Sequence, residues 1–86
     1  MQYTLMMKLS DLNCGESSKV IQISNQPKFM RRINDLGIVE GVVITYVARA
    51  PLGDPMLIKV RDFMLAIRLD DAKKITVEKL WTIPLL

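Results

Sequence analysis

An 86-residue chain with 12 basic and 9 acidic residues has a net charge of +3 and room for one small domain spanning 1–86. Half of its residues are hydrophobic, and an apolar surplus in so small a body points to an interface as well as a core. With no histidine and a single cysteine, Cys14, the composition excludes an internal disulfide, a Cys/His metal cage within one chain and histidine general-base catalysis, and it suits a reducing cytosol.

The basic residues Lys8, Lys19, Lys28, Arg49, Lys59, Arg68 and Lys79 are spread along the chain, while Arg31-Arg32 and Lys73-Lys74 lie near the acids Asp35 and Asp70-Asp71. This pattern predicts a mixed, solvated surface rather than a phosphate-binding face. No leader pattern and no membrane-length apolar run is seen, so a cytoplasmic protein is expected.

In chain order, Leu9-Ser10-Asp11-Leu12 reads as a helical turn stopped by Gly15. Lys19–Ile23 is β-branched and bounded by the turn residues Ser24–Pro27, which predicts a strand. Pro27 suits the first position of a helix, along which Phe29, Met30, Ile33 and Leu36 recur at intervals of three and four. Lys28, Arg31, Arg32, Asn34 and Asp35 fill the opposite face, Arg31 standing four before Asp35 as a helical ion pair would require. Gly37 is placed to cap this helix, and Ile38 to fold back over its last turn.

Val42–Ala48 predicts a long strand whose second face, also apolar, should be partly covered. Then comes Arg49-Ala50-Pro51-Leu52-Gly53-Asp54-Pro55, the most distinctive segment. Pro51 fixes its own φ, Gly53 can take φ > 0, Asp54 can bond nearby backbone, and Pro55 holds Asp54 away from helix. The loop is therefore stiff, and Leu52 is either tucked inward or presented as an apolar contact.

Met56, Ile58 and Val60 alternate with Leu57, Lys59 and Arg61, and Phe63, Leu65, Ile67 and Leu69 alternate with Met64, Ala66 and Arg68. Two strands joined by Arg61-Asp62 are predicted, with Phe63 facing the core and Asp62 taking the left-handed turn position. Asp70–Lys73 forms a polar turn and Lys74–Glu78 a last short strand. About five short strands, one helix and tight turns predict a mainly β, strongly bent small barrel, closed so that no strand edge is left free.

The run Arg31-Arg32-Ile33-Asn34-Asp35-Leu36-Gly37-Ile38 with Glu40-Gly41, then Arg49–Pro55, then Val60–Arg68, resembles the FeoA family in order and spacing over about residues 9–78. The resemblance implies an SH3-like β-barrel with an inserted helix, related to the C-terminal domain of iron-dependent repressors. It also implies a non-enzymatic, cytosolic accessory role without a cofactor, acting on the GTP-binding region of the ferrous iron transporter FeoB. Two features depart from the family: Asp62 stands where glycine is usual, and residues 79–86, with Trp81, Ile83, Leu85 and Leu86, form an apolar tail. That tail either packs on the barrel or pairs with a partner or a second copy.

For docking, the reading selects Leu52, Gly53 and Asp54 in the stiff loop, with Arg31 and Arg32 offering charge complementarity. Arg49 and Arg68 are placed to cross a strand pair. A direct iron-binding sensor or chaperone is the alternative, drawing on Asp54, Asp62, Asp70 and Asp71, although Asp70-Asp71 reads more simply as a helix N-terminal cap. Nucleic-acid binding by a small barrel is a further alternative, but Phe29 and Phe63 lie on predicted core faces and leave few aromatics for stacking. No nucleophile–base pair or phosphate-cradling glycine loop can be assembled for catalysis.

Overall fold

The computed structural model describes residues 5–80. Its elements are β1 (Met6–Lys8), a 3₁₀ turn (Leu9–Asp11), β2 (Ser17–Ile23), α1 (Pro27–Asp35), β3 (Val43–Arg49), β4 (Met56–Val60), β5 (Phe63–Ile67), α2 (Leu69–Ala72) and β6 (Ile75–Leu80). The strands form a 6-stranded sheet in the order β1-β6-β2-β3-β4-β5, every pairing antiparallel.

The alternation in the sequence decides which face is buried. Ile44 and Tyr46 of β3, Met56, Ile58 and Val60 of β4, and Ile75 and Val77 of β6 all point into one apolar cluster. Leu9, Leu12, Val20, Ile23, Phe29, Ile33, Ile38, Val42, Ile67 and Ala72 complete it. Each such side chain contributes about 1.5–3 kcal/mol by leaving water.

α1 covers this cluster with Phe29 and Ile33, while Met30 is half-buried and Leu36 exposed. The helix ends as its sequence predicts. Gly37 takes a φ of 91°, its N–H donates to the Asn34 carbonyl (2.9 Å), and the Ile38 N–H donates to the Ile33 carbonyl (3.2 Å). This paired arrangement satisfies two carbonyls left over at the helix end, and it turns Ile38 inward over Ile33.

Several expectations are corrected. The strand count is six because β1, too short to show alternation, pairs with β6. The second face of β3, by contrast, is partly covered as expected: Thr45 is half-buried against Ser17, whereas Val43 and Val47 are exposed. Phe63 is 42% exposed, because β5 is an edge strand and its ring lies over Gly37 rather than in the cluster. At the β4–β5 hairpin the left-handed residue is Arg61, with φ 55°, and not Asp62. Among the described residues the sheet does not close through hydrogen bonds, since β1 and β5 remain edges. α2, shortly after β5, lies instead beside the 3₁₀ turn that follows β1, and Leu9 and Ala72 share the buried cluster, so packing brings the two ends together. The tail beyond Leu80, including Trp81, lies outside the described residues.

Candidate docking site

The β3–β4 loop is built by its own backbone. The Ala50 N–H donates to the Pro55 carbonyl (3.1 Å), and the Gly53 N–H donates to the Ala50 carbonyl (2.7 Å), closing a turn through Pro51 and Leu52. Pro51 occupies the second turn position, where its fixed φ is favourable, and Gly53 completes the turn at φ 91°. Asp54 and Pro55 are joined by a cis peptide bond. Leu52 stands at the tip, 97% exposed, so of its two readings the outward one is observed.

Asp54 does not bond its immediate neighbours. Its Oδ1 accepts from the Leu69 N–H at 3.1 Å, at the first residue of α2. The residue preceding α2 is Arg68, which makes no side-chain cap, so the capping carboxylate expected from Asp70-Asp71 comes from Asp54. Arg49 steadies the other side of the loop. Its Nε donates to the buried Tyr46 hydroxyl at 2.6 Å, with the guanidinium 5.5 Å from the ring centre. Its stem passes the Gly53 turn, and the partnership is along β3 rather than across to Arg68.

The two helix arginines are separated in role. Arg32 makes a two-pronged contact with Asp71 of α2 at 3.1 and 3.2 Å, and it lies 5.6 Å from the Phe29 ring centre. Arg31 is exposed and lines a shallow concavity with Pro27, Met30, Asn34 and Asp35. An Arg31–Asp35 ion pair is not formed among the described residues. α2 is thus tied to the loop through Asp54 and to α1 through Asp71.

The four aspartates of the iron-binding alternative are dispersed. Asp54 holds Leu69, Asp71 holds Arg32, Asp70 lies 3.8 Å from Lys73, and Asp62 is in the β4–β5 hairpin. Among the described residues, no three acidic or cysteine side chains gather as a metal-ligand group. Cys14 is exposed, and its thiol donates to the Val47 carbonyl at 3.0 Å. Glu16 accepts from the Asn13 N–H at 2.6 Å and pairs with Lys79; the Lys79 contact first, then the Asn13 N–H, holds its carboxyl below the usual 4.5. No helix among the described residues is long and apolar enough to cross a membrane.

The FeoA domain model matches residues 7–79. A fusion of Fe(2+) transport protein A with the Fe(2+) transporter FeoB from Porphyromonas gingivalis is 38% identical over 72 residues, covering 84% of this chain. This chain spans only 8% of that protein's length. The solution structure of an FeoA-like protein from Clostridium acetobutylicum superposes with a TM-score of 0.84 at 34% identity, covering 100% of this chain and 98% of the other. Stenotrophomonas maltophilia FeoA complexed with zinc, described as an SH3 domain protein, gives 0.71 at 32% identity over 83% of this chain and 88% of the other. The fold alone is shared with T. acidophilum IdeR, at a TM-score of 0.76 and 15% identity over 92% of this chain and 36% of the other. The mainly β body with its inserted helix is therefore SH3-like, and the chain belongs to the FeoA domain family.

Proposed function

We propose that this chain is a non-enzymatic cytosolic accessory module of ferrous iron transport that docks on the GTP-binding region of a FeoB-type transporter and regulates it. The observation that carries the reading is the fusion relative, in which a domain 38% identical to this one is joined covalently to an Fe(2+) transporter FeoB. Covalent joining keeps a module at high effective concentration beside its target. A module of this family acts on that target through a docking surface, joined to it or not.

The β3–β4 loop is the surface best suited to this. Its backbone bonds, the Asp54–Leu69 contact and the Arg49–Tyr46 contact fix it before binding, so docking costs little ordering entropy. Leu52 then enters an apolar pocket of the partner as a single anchor. Gly53 and Asp54 hold that anchor in place. Arg31 adds charge that affects encounter rate more than affinity, while Arg32 is engaged by Asp71 and contributes less.

The test is a pull-down with the transporter's cytosolic region, comparing the natural chain with Leu52→Asp. Because Leu52 is exposed, the variant keeps its fold by circular dichroism and loses retention on the transporter. Equal retention by a folded Leu52→Asp variant would rule out the loop as the contact.

A further inference from the structure

Lys8 of β1 and the pair Lys73-Lys74 from the turn before β6, far apart in sequence, come together beside the outer face of β1, β6 and β2. Lys8 is the register partner of Thr76, and Thr76 is the register partner of Gln22, so these three form one row across three strands. Ile75 and Val77 on either side of Thr76 are buried, which places the row on the solvent face. The register shift between Val20 and Gln22 aligns Gln22 with this row while Val20 and Ile23 stay inward. Beside the row, the turn entering α1 and the turn leaving α2 are tied by the Ser24 N–H donating to the Lys74 carbonyl at 2.9 Å.

Together these segments border an open surface pocket of about 440 Å³ lined by Lys8, Gln22, Ser24, Asn25, Lys73, Lys74 and Thr76. Its lining carries three ammonium groups, two hydroxyls and two side-chain amides, and no carboxylate. The Lys74 ammonium is engaged by neutral groups, the Gln26 amide oxygen at 3.5 Å and the Phe29 ring at 5.0 Å, so its charge is not cancelled. Lys73 is 3.8 Å from Asp70, a pair exposed on both sides and therefore easily exchanged for another anion.

We propose that this pocket binds a phosphate group. Ammonium groups act as point charges for phosphate oxygens, and hydroxyl and amide N–H donors supply the directed hydrogen bonds. The site has no part in the proposed transporter contact at Leu52. Asp70 and Asp71, near the lysine pair in sequence, are outside the lining, with Asp70 within 3.8 Å of Lys73 at its edge.

The phosphate can come from a soluble phosphate compound or from a lipid headgroup, and two arms of one experiment separate these. Amide chemical shifts of the full chain are followed during titration with inorganic pyrophosphate, against sodium chloride at matched ionic strength. A parallel titration uses phosphatidylcholine vesicles with and without phosphatidylglycerol. Saturable shifts at Ser24, Asn25, Lys74 and Thr76 with pyrophosphate identify a soluble ligand. The same residues responding only to phosphatidylglycerol vesicles identify a lipid headgroup.

In either case Lys8→Gln combined with Lys74→Gln weakens binding by about tenfold, whereas Lys59→Gln on β4, an equal charge change per site, leaves it unchanged within about twofold. Retained amide shifts elsewhere verify that the variants fold. Linear responses matched by chloride, or equal weakening by Lys59→Gln, would overturn the assignment.

Discussion

Gly37 closes α1 at φ 91°, and a Cβ placed on it would stand 3.1 Å from the Phe63 ring. Two separate penalties therefore meet any side chain here, one from the backbone conformation and one from the ring. Gly37→Ala is expected to lower stability by about 1–2 kcal/mol in urea unfolding. Adding Phe63→Leu, which leaves the dihedral cost in place, should recover only the ring's share. Full recovery would mean that the backbone position is not strained. The β4–β5 hairpin gives the complementary case, because Arg61 occupies the left-handed region at φ 55° while Asp62 does not. Arg61→Gly should therefore be neutral or stabilising by up to about 1 kcal/mol, and Asp62→Gly should be destabilising, since it adds only unfolded-state freedom. The reverse order of their urea midpoints would place the left-handed residue at Asp62.

α2 has four residues, far too few to persist as an isolated helix, so contacts from outside hold it. Asp54 accepts from its first N–H, and Arg32 grips Asp71 two residues on. Asp54→Ala is expected to cost about 0.5–2 kcal/mol, the range for losing a capping carboxylate, and Asp54→Asn less because the amide oxygen still accepts. Backbone amide exchange at Leu69 and in the Ala50–Pro55 loop should rise together in Asp54→Ala; faster exchange in the loop alone would uncouple the loop from α2. The Arg32–Asp71 pair, with Arg32 58% exposed, should couple by no more than about 1 kcal/mol in a double-mutant cycle. These contacts mark the boundary of what is legible in the sequence. Met56, Ile58 and Val60, or Phe29 and Ile33, announce their faces because periodicity within one element is fixed by its own geometry. The stiff loop is legible for the same reason, since Pro51 and Gly53 act locally. The Asp54–Leu69 and Arg32–Asp71 contacts span 15 and 39 residues, and the lysine pocket needs the β2 register shift, so none leaves a local pattern. β1 is missed because three residues with one half-buried position carry no alternation to read.

At the scale of the whole molecule, β6 lies between β1 and β2 and so ties the last described strand to the first two. Near the C-terminal end of β6, Lys79 reaches Glu16, the residue that leads into β2, while the Lys79 N–H donates to the Leu5 carbonyl at 3.0 Å. Both charged side chains are largely covered, at 18% and 20% exposure, against 66% and 91% for the Lys73–Asp70 pair. Solvent and salt therefore screen the Glu16 contact less. The fold holds the Glu16 carboxyl below its usual 4.5, so the folded chain gives up this proton more readily than the unfolded chain does. A carboxyl depressed in this way contributes stability that is fully present above the unfolded value and is lost as pH falls from about 4.5 through the lower folded value. Glu16→Gln should consequently be less stable than the natural chain at neutral pH and converge with it in acid, whereas Lys73→Gln should differ little at any pH. Urea midpoints measured across that window give the result directly. A gap between Glu16→Gln and the natural chain that stays constant into acid would mean that Glu16 supports β2 and β6 by shape alone, with its charge contributing nothing.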